Sequence, residues 1–136
     1  MAVDASLVAA AKSARMRAYA PYSKFLVGAA VKDEHGKIHA GCNVEHAAYP
    51  QGTCAEAGAI AAMILAGGKR ITEVAVIGAG AGLVTPCGGC RQKLREFCMG
   101  DVPIHVCGEN GIVKRTFTLD ELLPSSFGPE HLDCAP

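Results

Sequence analysis

Residues 73–79 read Glu-Val-Ala-Val-Ile-Gly-Ala, a run of small and branched apolar residues with no polar alternation after its first position. A run of that kind suits a central strand covered on both faces. It therefore asks the rest of the chain for a layer on each side. The remaining pattern supplies them. Leu7, Ala10, Ala11, Ala14 and Ala18 recur at helical spacing, so residues 4–19 read as an amphipathic helix closed by Pro21. Residues 25–31 and 37–44 read as two strands around the turn cluster 33–36. The stretch 45–53, with Pro50 and Gly52, reads as a loop. A second helix is predicted over 54–66 and stopped by Gly67 and Gly68. Gly58 lies inside it at about 1 kcal/mol relative to alanine, which points to a close backbone contact there.

After the glycine-rich link 78–82 come a third helix over 87–99 and a strand at 103–107. Asn110-Gly111 then signals a two-residue hairpin, because both residues tolerate positive φ. A fifth strand follows at 112–117, antiparallel to the fourth. Thr118 and Glu121 form a capping box for a short last helix stopped by Pro124. The order of elements gives an α/β chain: a three-layer α/β/α sandwich around a mixed five-stranded sheet. With 136 residues, half of them apolar and 19% charged, residues 1–136 read as one folded domain.

Composition excludes several classes of function. Lys plus Arg is 13 and Asp plus Glu is 13, so the formal net charge is zero, with no basic run. Four Phe, three Tyr and no Trp offer few stacking platforms. Gripping a polynucleotide needs excess cation and stacking surfaces, so nucleic acid is not the expected partner. No apolar stretch is long enough for a membrane span. Seven cysteines are an odd number, and the N-terminal residues do not read as secretory. The expectation is a cytoplasmic chain with reduced thiols, in which closely spaced cysteines bind metal or do chemistry.

Cys87-Gly-Gly-Cys90 places two thiols on one face of a helix start. Alone this pair fits half a zinc site or a redox motif. The glycine-rich link before it argues against the redox reading, and no second Cys-x-x-Cys exists to close a structural zinc site. Cys54-Ala-Glu56 stands 33 residues before Cys87 (87 − 54), at the predicted start of the second helix. Three thiolates with an open fourth position form a catalytic zinc arrangement, because water can take the vacancy. Glu56, two residues past Cys54, is close enough to move that water's protons.

Cys54-Ala-Glu56 with Pro86-Cys87-Gly-Gly-Cys90-Arg91-Gln92 resembles the zinc-dependent nucleoside deaminases, above all the small homotetrameric cytidine deaminases. Tyr22-Ser-Lys-Phe25, Val27-Gly-Ala-Ala30, Gly41-Cys-Asn43-Val-Glu45, Leu122-Leu-Pro124 and Phe127 extend the resemblance over about residues 19–127. It implies a cytidine deaminase-like fold with one Zn2+ per subunit on Cys54, Cys87 and Cys90. The implied reaction is hydrolysis of cytidine and deoxycytidine to uridine and deoxyuridine plus ammonia, in pyrimidine salvage. Glu56 would carry protons. Asn43 and Glu45 would bind the ribose hydroxyls, Phe25 would pack on the nucleoside and the backbone near Ala55 would read the base edge. Tyr49 and Phe127 would complete pockets shared between subunits of a homotetramer.

Two positions depart from the resemblance. The family usually has arginine after the glutamate, where this chain has Ala57, and asparagine is common where this chain has His46. Zinc on three thiolates carries one net negative charge (+2 − 3 = −1), which makes bound water less acidic. The helix starts at Cys54 and Cys87, together with Arg91, are the expected offset. Rival readings are a deaminase of a cytosine-containing antibiotic, as in the blasticidin deaminases, and a structural zinc module with a closed site, His46 being its candidate fourth ligand. Cys42, Cys98 and Cys107 read as small core hydrophobes and Cys134 as an exposed thiol near the C-terminus. His35 and His39 read as solvated turn residues, and His105 as a satisfied core or face residue.

Overall fold

The structure, a computed structural model, describes residues 2–132; Cys134 lies outside them. Helix α1 (Ala5–Arg15) is followed by strands β1 (Gly28–Asp33) and β2 (Ile38–Cys42), then helix α2 (Ala55–Leu65) and strand β3 (Ile71–Ile77). Helix α3 (Gly88–Arg95), strands β4 (Pro103–Cys107) and β5 (Val113–Thr118) and the short helix α4 (Leu119–Leu122) complete the order. The sheet runs β2-β1-β3-β4-β5; β3 and β4 are parallel and the other neighbours antiparallel. This is the mixed five-stranded α/β sheet that the apolar run at 73–79 called for.

Alternation along the strands divides the core in two. Ala30, Ala75, Ile77 and Cys107 face α1 and pack against Leu7, Val8 and Ala11. Ala29, Val31, Val74, Val76, Ile104 and Val106 face the other way, against Ala59, Ile60 and Met63 of α2 and Leu94 of α3. Lys32, Glu73 and His105 share the α1 side by the same alternation, and there they form a polar row. His105 Nδ1 meets Thr116 Oγ1 at 2.7 Å and its Nε2 meets Glu73 Oε2 at 2.8 Å. Lys32 Nζ bridges Glu73 at 3.3 Å and Asp4 at 2.6 Å. Asp4 in turn caps α1, its side chain accepting the amides of Ser6 and Leu7. Buried His105 is thus fully satisfied, as a core histidine must be.

Local chemistry sets the element ends, and long-range contacts move some of them. Helix α1 stops at Arg15 rather than near residue 19, because the Tyr19 amide is taken by the Asn43 carbonyl at 3.0 Å. Strand β1 starts at Gly28 rather than at residue 25, because the Asn43 side chain claims the Val27 amide and the Phe25 carbonyl. Helix α3 ends before residue 99, with the Phe97 carbonyl accepting from Ile71. The β4–β5 connection is a three-residue loop closed by Gly108 N–H to Ile112 carbonyl, with Gly111 at φ 82°. The two-residue hairpin reading was one residue too tight. The capping box at Thr118 and Glu121 is present. His39 is not solvated: its ring is buried and its Nε2 meets buried Asp33 Oδ2 at 2.8 Å. That hydrogen bond, helped by the Lys37 and His35 amides, holds the Asp33 carboxyl down at about 2.

The row Cys42–Gly28–Ile77–Cys107 crosses the sheet at one level. Strands β2 and β3 flank antiparallel β1, so they point the same way and finish together beside Gly28. Each then feeds a connection into a helix, which places the starts of α2 and α3 at one end of the sheet. Close packing fixes α2 there. A Cβ at Gly41 would lie 2.4 Å from the Ala55 carbonyl and 2.4 Å from the Ala59 amide. A Cβ at Gly58 would meet nothing nearer than 3.5 Å. The close strand–helix contact read from Gly58 exists, and Gly41 is the residue that requires it.

Gly41→Ala is therefore expected to destabilise the fold by about 1–3 kcal/mol through overpacking. Gly58→Ala is expected to be neutral or stabilising by up to about 1 kcal/mol through helix propensity. Chemical denaturation of the two variants checks the contrast, and equal losses would contradict it.

Candidate active site

Cys54 is the N-cap residue of α2 and Cys87 the N-cap residue of α3, both with extended backbone. Cys90 lies one turn into α3, on the same side as Cys87. Because the two helices start at the same end of the sheet, the three Sγ atoms lie within 4.8 Å of one another, with Cys54 and Cys87 3.9 Å apart. Thiolates at about 2.3 Å around a tetrahedral zinc ion would stand about 3.8 Å from each other. The donor set is soft, compact and suited to zinc. Among the described residues, no fourth His, Cys, Asp or Glu joins the group. His46 points elsewhere, its Nδ1 accepting the Ala48 amide at 2.9 Å.

Burial shapes the protonation of the cluster. It pushes the thiols of Cys54 and Cys90 up, favouring the protonated forms when no cation is near. The Cys90 amide beside Cys87 holds that thiol below its ordinary value. Glu56, in the first turn of α2, is 3% exposed. Burial pushes its carboxyl up; its own amide, the neighbouring Cys90 thiol and the Lys93 charge counter part of that. A buried carboxyl raised in this way beside three converging thiols is suited to holding and releasing a proton. Cys98 and Cys107, whose thiols burial raises to about 12 and about 11, are core residues far from such chemistry.

A cavity of about 210 Å³ opens over the cluster. Cys54, Cys87 and Glu56 line one part; Phe25, Val27, Val76 and Val84 form apolar walls, and Asn43, Ala55 and Thr85 complete it. Of the residues read as substrate-binding, Phe25, Asn43 and Ala55 meet here. Glu45 and Tyr49 line a separate hollow of about 390 Å³ with Tyr22, Ser23 and His46. Phe127 is in neither. It stacks on His131 at 5.1 Å between ring centroids and lines a third hollow, about 640 Å³, against Ala57, Ile60 and Gln92. That hollow is apolar and contains none of the cluster cysteines.

No sequence pattern assigned a role to Val84 or Thr85. Their place follows from Gly78, where a Cβ would lie 2.6 Å from Val84, so the link after β3 folds back over its strand end. No periodic signal marks such a contact. Arg91 was expected to offset thiolate charge. Its Nε donates to the Pro86 carbonyl at 2.7 Å, Nη1 to the Leu122 carbonyl at 2.8 Å and Nη2 to Thr85 Oγ1 at 2.9 Å. All three partners are neutral, so its positive charge is uncancelled beside the segment that carries Cys87 and Cys90.

Comparison with known proteins agrees with this geometry. Residues 1–106 match the family described as "Cytidine and deoxycytidylate deaminase zinc-binding region". The chain is 43% identical over 129 residues to a cytidine deaminase of Sporosarcina psychrophila, covering 95% of this chain and 94% of that protein. It is 35% identical to one from Halalkalibacterium halodurans, covering 93% and 96%. The crystal structure of cytidine deaminase from Burkholderia pseudomallei superposes with a TM-score of 0.85 at 39% identity, covering 93% of this chain and all of that one. That from Mycobacterium tuberculosis gives 0.81 at 36% identity, covering 93% and 99%.

Arg91→Ala removes three hydrogen bonds and the cation together. It is expected to weaken zinc affinity about 10- to 100-fold, the usual scale for a residue that supports metal ligands. Competition with a chromogenic chelator measures this; unchanged affinity would show that the two helix starts suffice.

Proposed function

Because the chain belongs to the cytidine and deoxycytidylate deaminase zinc-binding family, we propose that it hydrolyses cytidine and deoxycytidine to uridine and deoxyuridine plus ammonia, with one zinc ion per chain. The observation that carries this reading is the buried Glu56 carboxyl beside three converging thiols in one small, apolar-walled cavity. Cys54, Cys87 and Cys90 hold the zinc, which when bound supplies the Lewis acidity that makes water a nucleophile near neutral pH.

Glu56 does the proton work. Its carboxylate takes a proton from the attacking water and delivers it to N3 of the base, which makes C4 electrophilic. It then takes the remaining proton of the added C4 hydroxyl and passes it to the departing amino nitrogen. Water adds, ammonia leaves and a C4–N bond is replaced by a C4–O double bond. The raised carboxyl of a buried glutamate suits both halves of this transfer. Phe25 packs on the nucleoside and the backbone at Ala55 reads the base edge. Asn43 Nδ2 keeps one N–H, and its Oδ1 one lone pair, beyond the bonds to Phe25 and Val27. Those atoms and the Glu45 carboxylate take the ribose hydroxyls.

Tyr49 and Phe127, 76% and 56% exposed, act from neighbouring subunits of a homotetramer. The apolar hollow around Phe127 and the exposed Ile64 and Leu65 of α2 support association of this kind. Residues 1–136 form one domain. Zero net charge favours a free nucleoside over a polynucleotide. Among the described residues no helix is long and apolar enough to cross a membrane. Thiols kept free for metal fit a cytoplasmic setting and a role in pyrimidine salvage.

The test pairs metal analysis with ultraviolet assays on cytidine, deoxycytidine, adenosine, blasticidin S, cytosine and dCMP. One zinc per chain and turnover of the first two substrates are expected, from a species that sediments well above the 14.0 kDa chain. Glu56→Gln is expected to keep its zinc and lose at least about 100-fold in kcat. A variant as fast as the parent, or zinc-replete protein with no turnover of cytidine, would overturn the reading.

A further inference from the structure

Glu45 is the hub of a small hydrogen-bonded turn. Its Oε1 accepts the amides of Tyr22 at 3.0 Å and Ser23 at 3.1 Å, and its Oε2 accepts the Ser23 hydroxyl proton. Ser23 Oγ in turn accepts the Phe25 amide at 3.0 Å. Between them Lys24 adopts φ 61°, in the left-handed region that a non-glycine residue occupies only when its surroundings hold it there. Beyond Phe25 the Asn43 side chain continues the chain of bonds, donating to the Phe25 carbonyl at 2.8 Å and accepting the Val27 amide at 2.9 Å. Val44 pairs with Tyr19 and Thr53, so the segment is extended there and Asn43 and Glu45 project from one side of it.

An ionised carboxylate has about four acceptor positions. Here two are filled on Oε1 and one on Oε2, so the remaining position is on Oε2, beside the Ser23 hydroxyl. The Tyr22 and Ser23 amides fix the carboxylate at one oxygen. The Ser23 hydroxyl fixes the orientation of the other. The same hydroxyl ties that orientation to Phe25, a wall of the cysteine cavity, although Ser23 itself does not line that cavity.

We propose that Ser23 is a positioning residue for sugar recognition: its hydroxyl aims the free acceptor of Glu45 at a secondary hydroxyl of the nucleoside's ribose. This rests on the reading of Glu45 as a sugar-binding residue. Ser23 acts through Glu45 and takes no part in the proton transfers. A turn that merely shaped the start of β1 would affect every substrate alike, whereas a turn that aims Glu45 affects only substrates with a hydroxyl to offer.

The test measures kcat and KM of the zinc-loaded protein and of Ser23→Ala and Ser23→Thr. The substrates are cytidine and dideoxycytidine, which lacks both secondary ribose hydroxyls; zinc content and thermal midpoint are followed alongside. The parent protein is expected to prefer cytidine. Ser23→Ala is expected to raise KM for cytidine about 10-fold, the scale of one hydrogen bond to a charged group, with kcat little changed. Its KM for dideoxycytidine should stay within about twofold, well below that scale, and Ser23→Thr should restore the cytidine value. Equal effects of Ser23→Ala on both substrates, or no effect on either, would overturn the proposal while leaving Glu45 in its role. A parent protein indifferent to the loss of the hydroxyls would remove Glu45 from sugar binding, and the proposal with it.

Discussion

Three thiols from two separate segments meet within 4.8 Å of one another only because two helices begin side by side. The sheet arranges this. Antiparallel β1 lies between β2 and β3, so these two strands run the same way and end level with Gly28. Each strand's exit leads to a helix whose N-cap is a cysteine. Desolvation there disfavours charge on Cys54 and Cys90, a preference that a cation among the three sulfurs would reverse. Helix N-termini supply partial positive charge to the same place. Glu56 enters the arrangement through its position in the first turn of α2, two residues past a ligand.

The rest of the cavity is joined to this centre through the chain that leaves β2. Asn43 sits at that exit, one residue past Cys42, and its side chain bonds Phe25 and Val27. The Phe25 and Val27 wall of the cavity is therefore anchored to the strand end from which the chain leads on to Cys54. On the opposite rim Arg91 joins Thr85, Pro86 and Leu122. That bond set ties the segment before Cys87 to α4, and so to the β4–β5 side of the sheet. With Ala57 in the position after Glu56, Arg91 and Lys93 are the cations that the structure sets near the cluster.

Much of this was legible in the sequence, and the reasons differ by element. The strand read at 73–79 forms at 71–77, and it announces itself because burial on both faces leaves the unbroken apolar run at 74–77. The strand at 103–107 and the capping box after it depend on local chemistry and were read at their observed places. The ends of α1, β1 and α3 were misplaced because distant groups compete for their backbone: Asn43 at the first two and Ile71 at the third. His39 looks like a turn residue until Asp33 is placed beside it on the paired strand. The convergence of Cys54, Cys87 and Cys90, with Glu56 in the same cavity, was readable from spacing joined to a resemblance. The separate hollow around Glu45 was not, since its partners Tyr22 and Ser23 lie more than twenty residues away and donate mostly through the backbone. The separation of Phe127 from the cysteine cavity could not be read from spacing either, as it depends on how the segment after α4 packs against α2 and α3.

X-ray absorption at the zinc edge of the purified protein tests the central arrangement most directly. Three sulfur neighbours at about 2.3 Å and one oxygen at about 2.0 Å are expected, with one sulfur lost in each of Cys54→Ser, Cys87→Ser and Cys90→Ser. A shell of four protein donors, or a spectrum that any of these three substitutions leaves intact, would contradict the account.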